Sequence, residues 1–161
     1  MFEVRKLREE DFDYISPRID EWWGGRNMFT MLPRLWFKDF AETSFTARTR
    51  SGHIIGFLVG YISPKYSEKG YIHFVGVDPE YRKAGVGRLL YEKFTELVKT
   101  RGCTHIDAVT HPENRLSLAF HESMGFLALM PEESPLPPTL SSGVSNFDGA
   151  GEDRVLLRLN L

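Results

Sequence analysis

Seven consecutive residues have the composition of a phosphate-binding turn. They are Arg82, Lys83, Ala84, Gly85, Val86, Gly87 and Arg88, and they follow a strand-like segment that ends at Val77. Glycine lets a backbone approach a ligand closely, and the N–H groups at a helix start bind anionic oxygens with help from the helix dipole. The sequence therefore predicts that a helix opens near Gly85 and that its first turn binds a phosphate group.

Two common phosphate-binding motifs do not fit this turn. The Walker motif ends in Gly-Lys followed by Ser or Thr, whereas this turn ends in Gly87 and Arg88. The dinucleotide-binding motif needs a third glycine at position 90, where the chain has Leu90. Binding of a nucleotide at the same helix start remains an alternative function.

A second group of residues farther along the chain points to a known family. It consists of Asn114, Ser117, Phe120, His121, Gly125 and Phe126. The first group, Arg-x-x-Gly-x-Gly after a Val-Asp-Pro strand end, resembles the acyl-CoA signature of the GCN5-related N-acetyltransferases (the GNAT family). The second group resembles that family's Asn-x-x-Ala and Tyr-x-x-x-Gly-Phe stretch. The resemblance extends over residues 54–130, and the rest of the chain matches only in the order of its predicted elements.

The resemblance implies where acetyl-CoA, the acetyl donor of this family, would bind. Two central strands, ending at Val77 and Val109, would splay apart and take the pantetheine arm between them. The arm would bond to the main chain of Val75 and Val77, and the pyrophosphate to the amides of residues 82–88. In the second group, Asn114 would bond the pantetheine arm.

The same resemblance assigns the far end of the pantetheine arm and two catalytic positions. Ser117 and Phe120 would flank that end, although Phe120 fits equally well as a core residue. His73 stands where family members often carry a Glu, on one alternating face of its strand. An imidazole that is half-neutral near pH ~6.5 can take the proton of an amine, directly or through a neighbouring water. His121 replaces the family's usual Tyr, and a neutral imidazole can give one proton to the departing thiolate. Space-filling roles stay open for both histidines.

The function that follows is transfer of an acetyl group from acetyl-CoA to a primary amine of a small molecule or peptide, by direct attack in a ternary complex. No group of residues has metal-ligand spacing, so we expect no metal. Because both usual catalytic positions are altered, a non-catalytic module that binds or senses acyl-CoA is the alternative.

A cluster of aromatic and charged residues near the start of the chain could shape acceptor binding. The family's first two helices form one wall of the acceptor site, and Trp22, Trp23 and Arg26 fall in that region. Asp20 and Glu21 could attract a cationic amine there. Adjacent tryptophans cannot both face one way on a helix, so we expect at least one of them in the core.

Hydrophobic periodicity predicts the elements that position these residues. Strands are expected over 2–7, 43–48, 54–62, 71–77, 104–109, 126–130 and 154–159, and helices over 9–13, 33–40, 85–101 and 114–124. Residues 131–151 are rich in Pro, Ser and Gly, so we expect a long loop that is mobile or serves as a lid. The element order indicates one mixed α/β domain over residues 1–161. With the family resemblance, this predicts a mostly antiparallel central sheet of about seven strands, splayed at the cofactor site and flanked by about four helices.

Composition limits the classes of partner. Twenty Lys and Arg against 22 Asp and Glu give a net charge of −2. This balance argues against nucleic acid and membrane-surface partners, which favour basic proteins.

Cys103 is the only cysteine, so it forms no disulfide within one chain and is expected to be a buried structural thiol. With no apolar signal segment at the start, we expect a cytoplasmic protein, and a homodimer stays open.

Overall fold

Eight strands and five helices follow one another in the computed structural model, which describes all 161 residues. The strands are β1 (Phe2–Lys6), β2 (Phe45–Thr49), β3 (Ile54–Ile62), β4 (Lys69–Val77), β5 (His105–Thr110), β6 (Leu127–Met130), β7 (Glu133–Leu136) and β8 (Val155–Asn160). The helices are α1 (Asp11–Ile15), α2 (Ile19–Trp22), α3 (Leu35–Asp39), α4 (Val86–Thr100) and α5 (Arg115–Ser123). The predicted mixed α/β fold with mostly antiparallel strand pairs is confirmed.

The chain forms two units, of which the first comprises residues 1–62 and 72–102. Its strands lie in the order β1-β2-β3-β4. Strand β3 reads Ile-Ile-Gly-Phe-Leu-Val-Gly-Tyr-Ile and is almost wholly buried, as the predicted apolar strand requires. Phe57 of β3 lies at the centre of the core, in contact with Trp22, Phe37 and Phe74. The short helices α1 to α3 thus supply one wall of this core.

Strand β4 alternates between buried and half-buried residues along its whole length. Ile72, Phe74 and Gly76 are buried, and the intervening positions are half-buried. Because successive side chains in a strand point to opposite faces, His73 and Val75 share the second face. This is the alternating face that the sequence predicts for them.

Helix α4 is flanked at both ends by glycines in the left-handed conformation. Gly85 is its N-cap, with φ 85°, and Gly102 follows its last turn, with φ 88°. Only glycine adopts this conformation without strain, so both ends of the helix are fixed by sequence. Its apolar face is buried along the residues Val86, Leu90, Tyr91, Phe94 and Val98.

The second unit comprises residues 63–71 and 103–161, with strands in the order β5-β8-β6-β7. The prediction that residues 131–151 form only a loop is wrong. Strand β7 pairs with β6 in this segment, with Ala128 opposite Leu136 and Met130 opposite Glu133. Residues 133–136 have no apolar alternation, and the strand exists because β6 offers it a free edge, where a proline such as Pro135 is tolerated.

No helix has both the length and the apolar character needed to cross a membrane.

Candidate active site

The turn between β4 and α4 is built by local hydrogen bonds. The N–H of Asp78 donates to the carbonyl of Ile55 at 2.9 Å, which ties the turn to β3. The Asp78 carboxylate accepts from the N–H of Glu80 at 3.0 Å and so begins a short 3-10 turn over Pro79–Tyr81. Lys83 then adopts a left-handed conformation, with φ 65°. The chain is thereby bent sharply before it enters helix α4.

The first turn of α4 presents its N–H groups as the sequence predicts. The N–H groups of Val86, Gly87 and Arg88 have no carbonyl partner within the helix, as at every helix start. The N-cap Gly85 has no side chain to satisfy them. A Cβ added at Gly56 would lie 2.8 Å from Cγ1 of Val86, so the helix start is packed tightly on β3. A rigid set of N–H donors at the positive end of a helix dipole suits a phosphate group.

Arg82 does not point freely into this turn. Its guanidinium donates a hydrogen bond to the carbonyl of Trp22, at the end of α2. The side chain therefore ties the turn to the first helices, although Arg82, Lys83 and Arg88 are all exposed. The positive charge of Arg82 stays next to the turn, but its hydrogen-bonding capacity is partly used within the protein.

His73 is held by two contacts, one with the segment that precedes α3 and one with α3 itself. Its Nε2 lies 2.9 Å from the carbonyl oxygen of Met31, and because a carbonyl only accepts, Nε2 carries the proton. Its ring stacks on the indole of Trp36, with centroids 4.0 Å apart and planes 10° apart. Burial lowers the pKa of His73 below its usual 6.5, and the Met31 hydrogen bond opposes that shift only in part. The neutral ring therefore carries its lone pair on Nδ1.

The sequence does not indicate which residues surround this imidazole. Trp36 also packs on Phe40, with centroids 4.6 Å apart, and on Tyr61 of β3, at 5.9 Å. Burial raises the pKa of Tyr61, so its hydroxyl keeps its proton at neutral pH. The abundance of aromatic residues in 19–40 was the available signal, but only the fold shows that Trp36 reaches β4.

The two adjacent tryptophans both pack inward. Trp22 is 3% exposed and packs against Phe57, which leaves its side chain no free face for an acceptor. Trp23 is half-buried and lies 4.7 Å from the ring of Phe74. It also covers Gly76, where an added Cβ would lie 2.5 Å from the indole. The tight turn of α2 lets both indoles reach the same core, and Arg26 alone of the three predicted acceptor residues is exposed.

The carboxylate of Asp20 has a structural role. It accepts hydrogen bonds from the N–H groups of Met28 and Phe29, at 2.7 and 3.1 Å. These bonds hold the segment that follows Gly24 and Gly25, both of which have positive φ. The expectation that Asp20 attracts the acceptor amine is therefore not supported by its contacts.

In the second unit, Asn114 is the N-cap of helix α5. Its side-chain oxygen accepts from the N–H of Ser117 at 3.2 Å, which leaves the amide NH₂ as its donor toward a ligand. Ser117 and Phe120 are half-buried. The ring of Phe120 makes an edge contact with His121, with centroids 5.6 Å apart.

His121 is buried, with only 4% of its surface exposed. Its Nδ1 donates to the carbonyl of Ser117 at 2.7 Å, and its ring meets Phe126 edge-on at 5.0 Å. Burial lowers the pKa of His121 to about 4. A neutral imidazole has one N–H, and here that proton is already donated to Ser117. These contacts suit a structural residue and do not suit a proton donor to a leaving thiolate.

The chain is similar in sequence and fold to known acetyltransferases. L-2,4-diaminobutyric acid acetyltransferase of Nocardia farcinica is 32% identical over 85 residues, which is 53% of this chain and 44% of the relative. The chain spans about half the length of the first curated relatives that it matches. The crystal structure of Ard1 from Thermoplasma volcanium covers 99% of this chain and 97% of its own, with a TM-score of 0.76 and 15% identity.

A second solved structure is diaminobutyrate acetyltransferase EctA of Paenibacillus lautus, in complex with L-2,4-diaminobutyric acid and coenzyme A. It covers 99% of this chain and 95% of its own, with a TM-score of 0.65 and 18% identity. Identities this low establish the shared fold. The sequence model of the acetyltransferase (GNAT) family matches residues 2–126, which is well over half of the chain. This protein therefore belongs to the acetyltransferase (GNAT) family.

Proposed function

We propose that this protein transfers an acetyl group from acetyl-CoA to a primary amine, with His73 as the general base. The names of its curated relatives support the reaction class, and the coenzyme A in a solved structural neighbour supports the donor. The observation that carries the proposal is the state of His73. Its Nε2 proton is held by Met31, so its Nδ1 lone pair is available for a proton on the strand that leads into the phosphate turn.

The residues of the turn fit the pyrophosphate of the donor. The helix start offers consecutive N–H groups beside the exposed Lys83 and Arg88, and such donors bind doubly charged anions well. The glycine at 85 adds no side chain, and no atom lies within 4 Å of where its Cβ would be. We assign the pyrophosphate to the amides of residues 82–88, and the pantetheine arm to the main chain of Val75 and Val77.

The donor supplies a thioester carbonyl, and the protein supplies the proton transfer and the positioning. His73 takes the proton that the amine loses as it attacks that carbonyl. Positioned bases of this kind typically accelerate a reaction by ~10²–10⁴-fold. In the second unit, we assign to Asn114 a hydrogen bond with the pantetheine arm. We assign to Ser117 and Phe120 the positions that flank the far end of that arm. We withdraw the acid role from His121 and assign it to the packing of α5.

Two measurements on one preparation test the proposal. Calorimetric titration with acetyl-CoA, CoA and ATP should give binding of the first two and none of ATP, whereas preference for ATP would favour a nucleotide-binding protein. Thiol release should then be followed with a panel of primary amines. We expect turnover with at least one amine and a loss of 10²-fold or more in His73→Ala, with acetyl-CoA affinity unchanged. Binding without turnover on any amine would favour a sensor module instead.

Some parts of this proposal rest on the sequence alone. They are a location in the cytoplasm, a single domain over residues 1–161 and a reaction that needs no metal. The sequence is also the basis for proposing no nucleic acid or membrane partner and for leaving a homodimer open.

A further inference from the structure

The segment that holds His73 exposes large apolar side chains. Phe29, Met31 and Leu35 are 51%, 47% and 52% exposed, within seven residues of chain. Their neighbour Trp36 stacks on His73, and the carbonyl of Met31 accepts its proton. Several large apolar side chains exposed on one short segment offer a surface for a ligand. We call Phe29, Met31, Leu35 and Trp36 the acceptor platform.

Two charged side chains of the same region, those of Arg34 and Asp20, are engaged within the protein. Arg34 donates to Asp13 at 2.6 Å and lies 3.8 Å from Glu9. The carboxylate of Asp20 accepts the N–H groups of Met28 and Phe29. These charges therefore hold the platform in place and are already engaged when an acceptor arrives. What the platform offers to an incoming molecule is chiefly apolar.

The position of the base decides which molecule meets this platform. An amine that gives its proton to His73 must come within hydrogen-bond reach of the imidazole. Whatever carries that amine then lies beside the indole of Trp36, which stacks on the imidazole and is uncharged. Met31 and Leu35 belong to the same exposed apolar segment. We propose that the acceptor is a primary amine on an uncharged, apolar body, selected by the acceptor platform. This inference rests on the proposed function and adds the class of substrate to it.

Electrostatics gives a second reason for the same class. An apolar surrounding disfavours the charged ammonium form of a bound amine, as burial disfavours the charged form of His73. The attacking neutral amine is thereby favoured. A 2,4-diaminobutyrate molecule would bring a carboxylate and a second ammonium group next to the same apolar side chains, which offer these charges no hydrogen-bond partner. The acceptor of this protein therefore differs from that named for its curated relatives.

The test compares two acceptors on the wild type and on three variants. Thiol release is measured with 2-phenylethylamine and with L-2,4-diaminobutyric acid, and kcat/KM is determined for each. For the wild type we expect a ratio of at least tenfold in favour of 2-phenylethylamine. Met31→Glu places a charge on the platform and should lower that ratio tenfold or more. Tyr66→Glu is the matched control, since Tyr66 is 45% exposed in the β3–β4 loop and should keep the wild-type ratio.

Leu35→Glu repeats the test at a second position, in case Met31→Glu does not fold. A wild-type preference for diaminobutyrate would overturn the inference while leaving the acetyltransferase in place. So would an equal loss for both amines in Met31→Glu and Leu35→Glu, because it would show that the platform does not discriminate. If acetyl-CoA binds and neither these nor any other amine is acetylated, the proposed function itself fails.

Discussion

The imidazole of His73 lies flat against the indole of Trp36, with ring centroids 4.0 Å apart. This contact joins a residue of strand β4 to one of helix α3, and the Met31 carbonyl fixes the edge of the same imidazole. Stacking and the hydrogen bond together hold the ring in one orientation and one tautomer. A base held in this way needs no rearrangement to receive a proton, which is the condition for efficient proton transfer.

Removing the stacking partner should change the pH dependence of the reaction. His73 acts as a base only when neutral, so kcat/KM should fall as pH decreases through its pKa, which burial places below 6.5. Trp36→Leu opens the ring to water and should move the pKa upward, toward 6.5. The variant then loses more activity at pH 6 than at pH 8. Trp36→Phe keeps an aromatic face and should retain most of the wild-type profile.

NMR titration of the histidine Cε1–H signals, without substrate, separates this effect from ionisation of the amine. The chain has five histidines, and His73→Gln identifies the signal of interest. If the His73 signal titrates at the same pH in Trp36→Leu and in the wild type, Trp36 does not control the protonation of His73.

Two glycines of helix α4 offer a matched pair for testing the phosphate turn. Gly85 and Gly102 have nearly equal positive φ, 85° and 88°, and a Cβ at either would meet no atom within 4 Å. Valine at either position should therefore cost about 1–2 kcal/mol of stability through backbone strain alone. Only Gly85→Val should also weaken acetyl-CoA binding, by tenfold or more, which is about 1.4 kcal/mol.

Calorimetry and urea unfolding on the two valine variants measure both quantities. Gly87→Val adds a side chain at the second helical residue and should weaken acetyl-CoA binding by a similar factor. Full affinity in a folded Gly87→Val protein would contradict the assignment of the pyrophosphate to this turn.

Local sequence patterns were sufficient for the elements that carry the turn. The period of two in β4 places His73 and Val75 on one face, and the glycines at 85 and 102 bound α4 as expected. Such signals are local, because they depend on backbone preferences and on the alternation of side chains. The turn between β4 and α4 is therefore predictable from the sequence alone.

Contacts between distant residues were not readable in this way. Arg82 lies in a run of basic residues that suggests phosphate binding, yet its guanidinium bonds the carbonyl of Trp22. His121 occupies a motif position that suggests catalysis, yet the fold buries it. Strand β7 exists because β6 pairs with it. Each of these features depends on which parts of the chain meet, and residue type alone does not encode that.

The segment from 146 to 151 should be the first part of the chain that proteases cut. It is exposed throughout. Its polar contacts are few: Asn146 bonds Asp153 and Gly151 at 2.8 Å, and Asp148 pairs with Arg154 at 2.9 Å. Chymotrypsin should cleave after Phe147, which is 47% exposed, before it cleaves in β7. Mass spectrometry of a time course measures the order of cuts, and Phe147→Ser should abolish the first one. A first cut within α4 would show that the segment is better protected than its exposure indicates.

Replacing His121 by Asn should separate a structural role from a catalytic one. The Asn side-chain NH₂ can replace Nδ1–H as donor to Ser117, but it does not titrate. If the proton of His121 is not used in catalysis, kcat of His121→Asn should stay within a few-fold of the wild type.

Burial lowers the pKa of His121 to about 4 in the folded protein, against 6.5 when unfolded. The unfolded chain therefore binds the proton first as pH falls. The wild type should lose up to about 3 kcal/mol of stability between pH 6.5 and 4 from this residue, and His121→Asn should lose none of it. Urea unfolding at several pH values measures the difference, with His111→Asn, at an exposed loop histidine, as control. A loss of 10²-fold in kcat with unchanged stability in His121→Asn would restore the catalytic role.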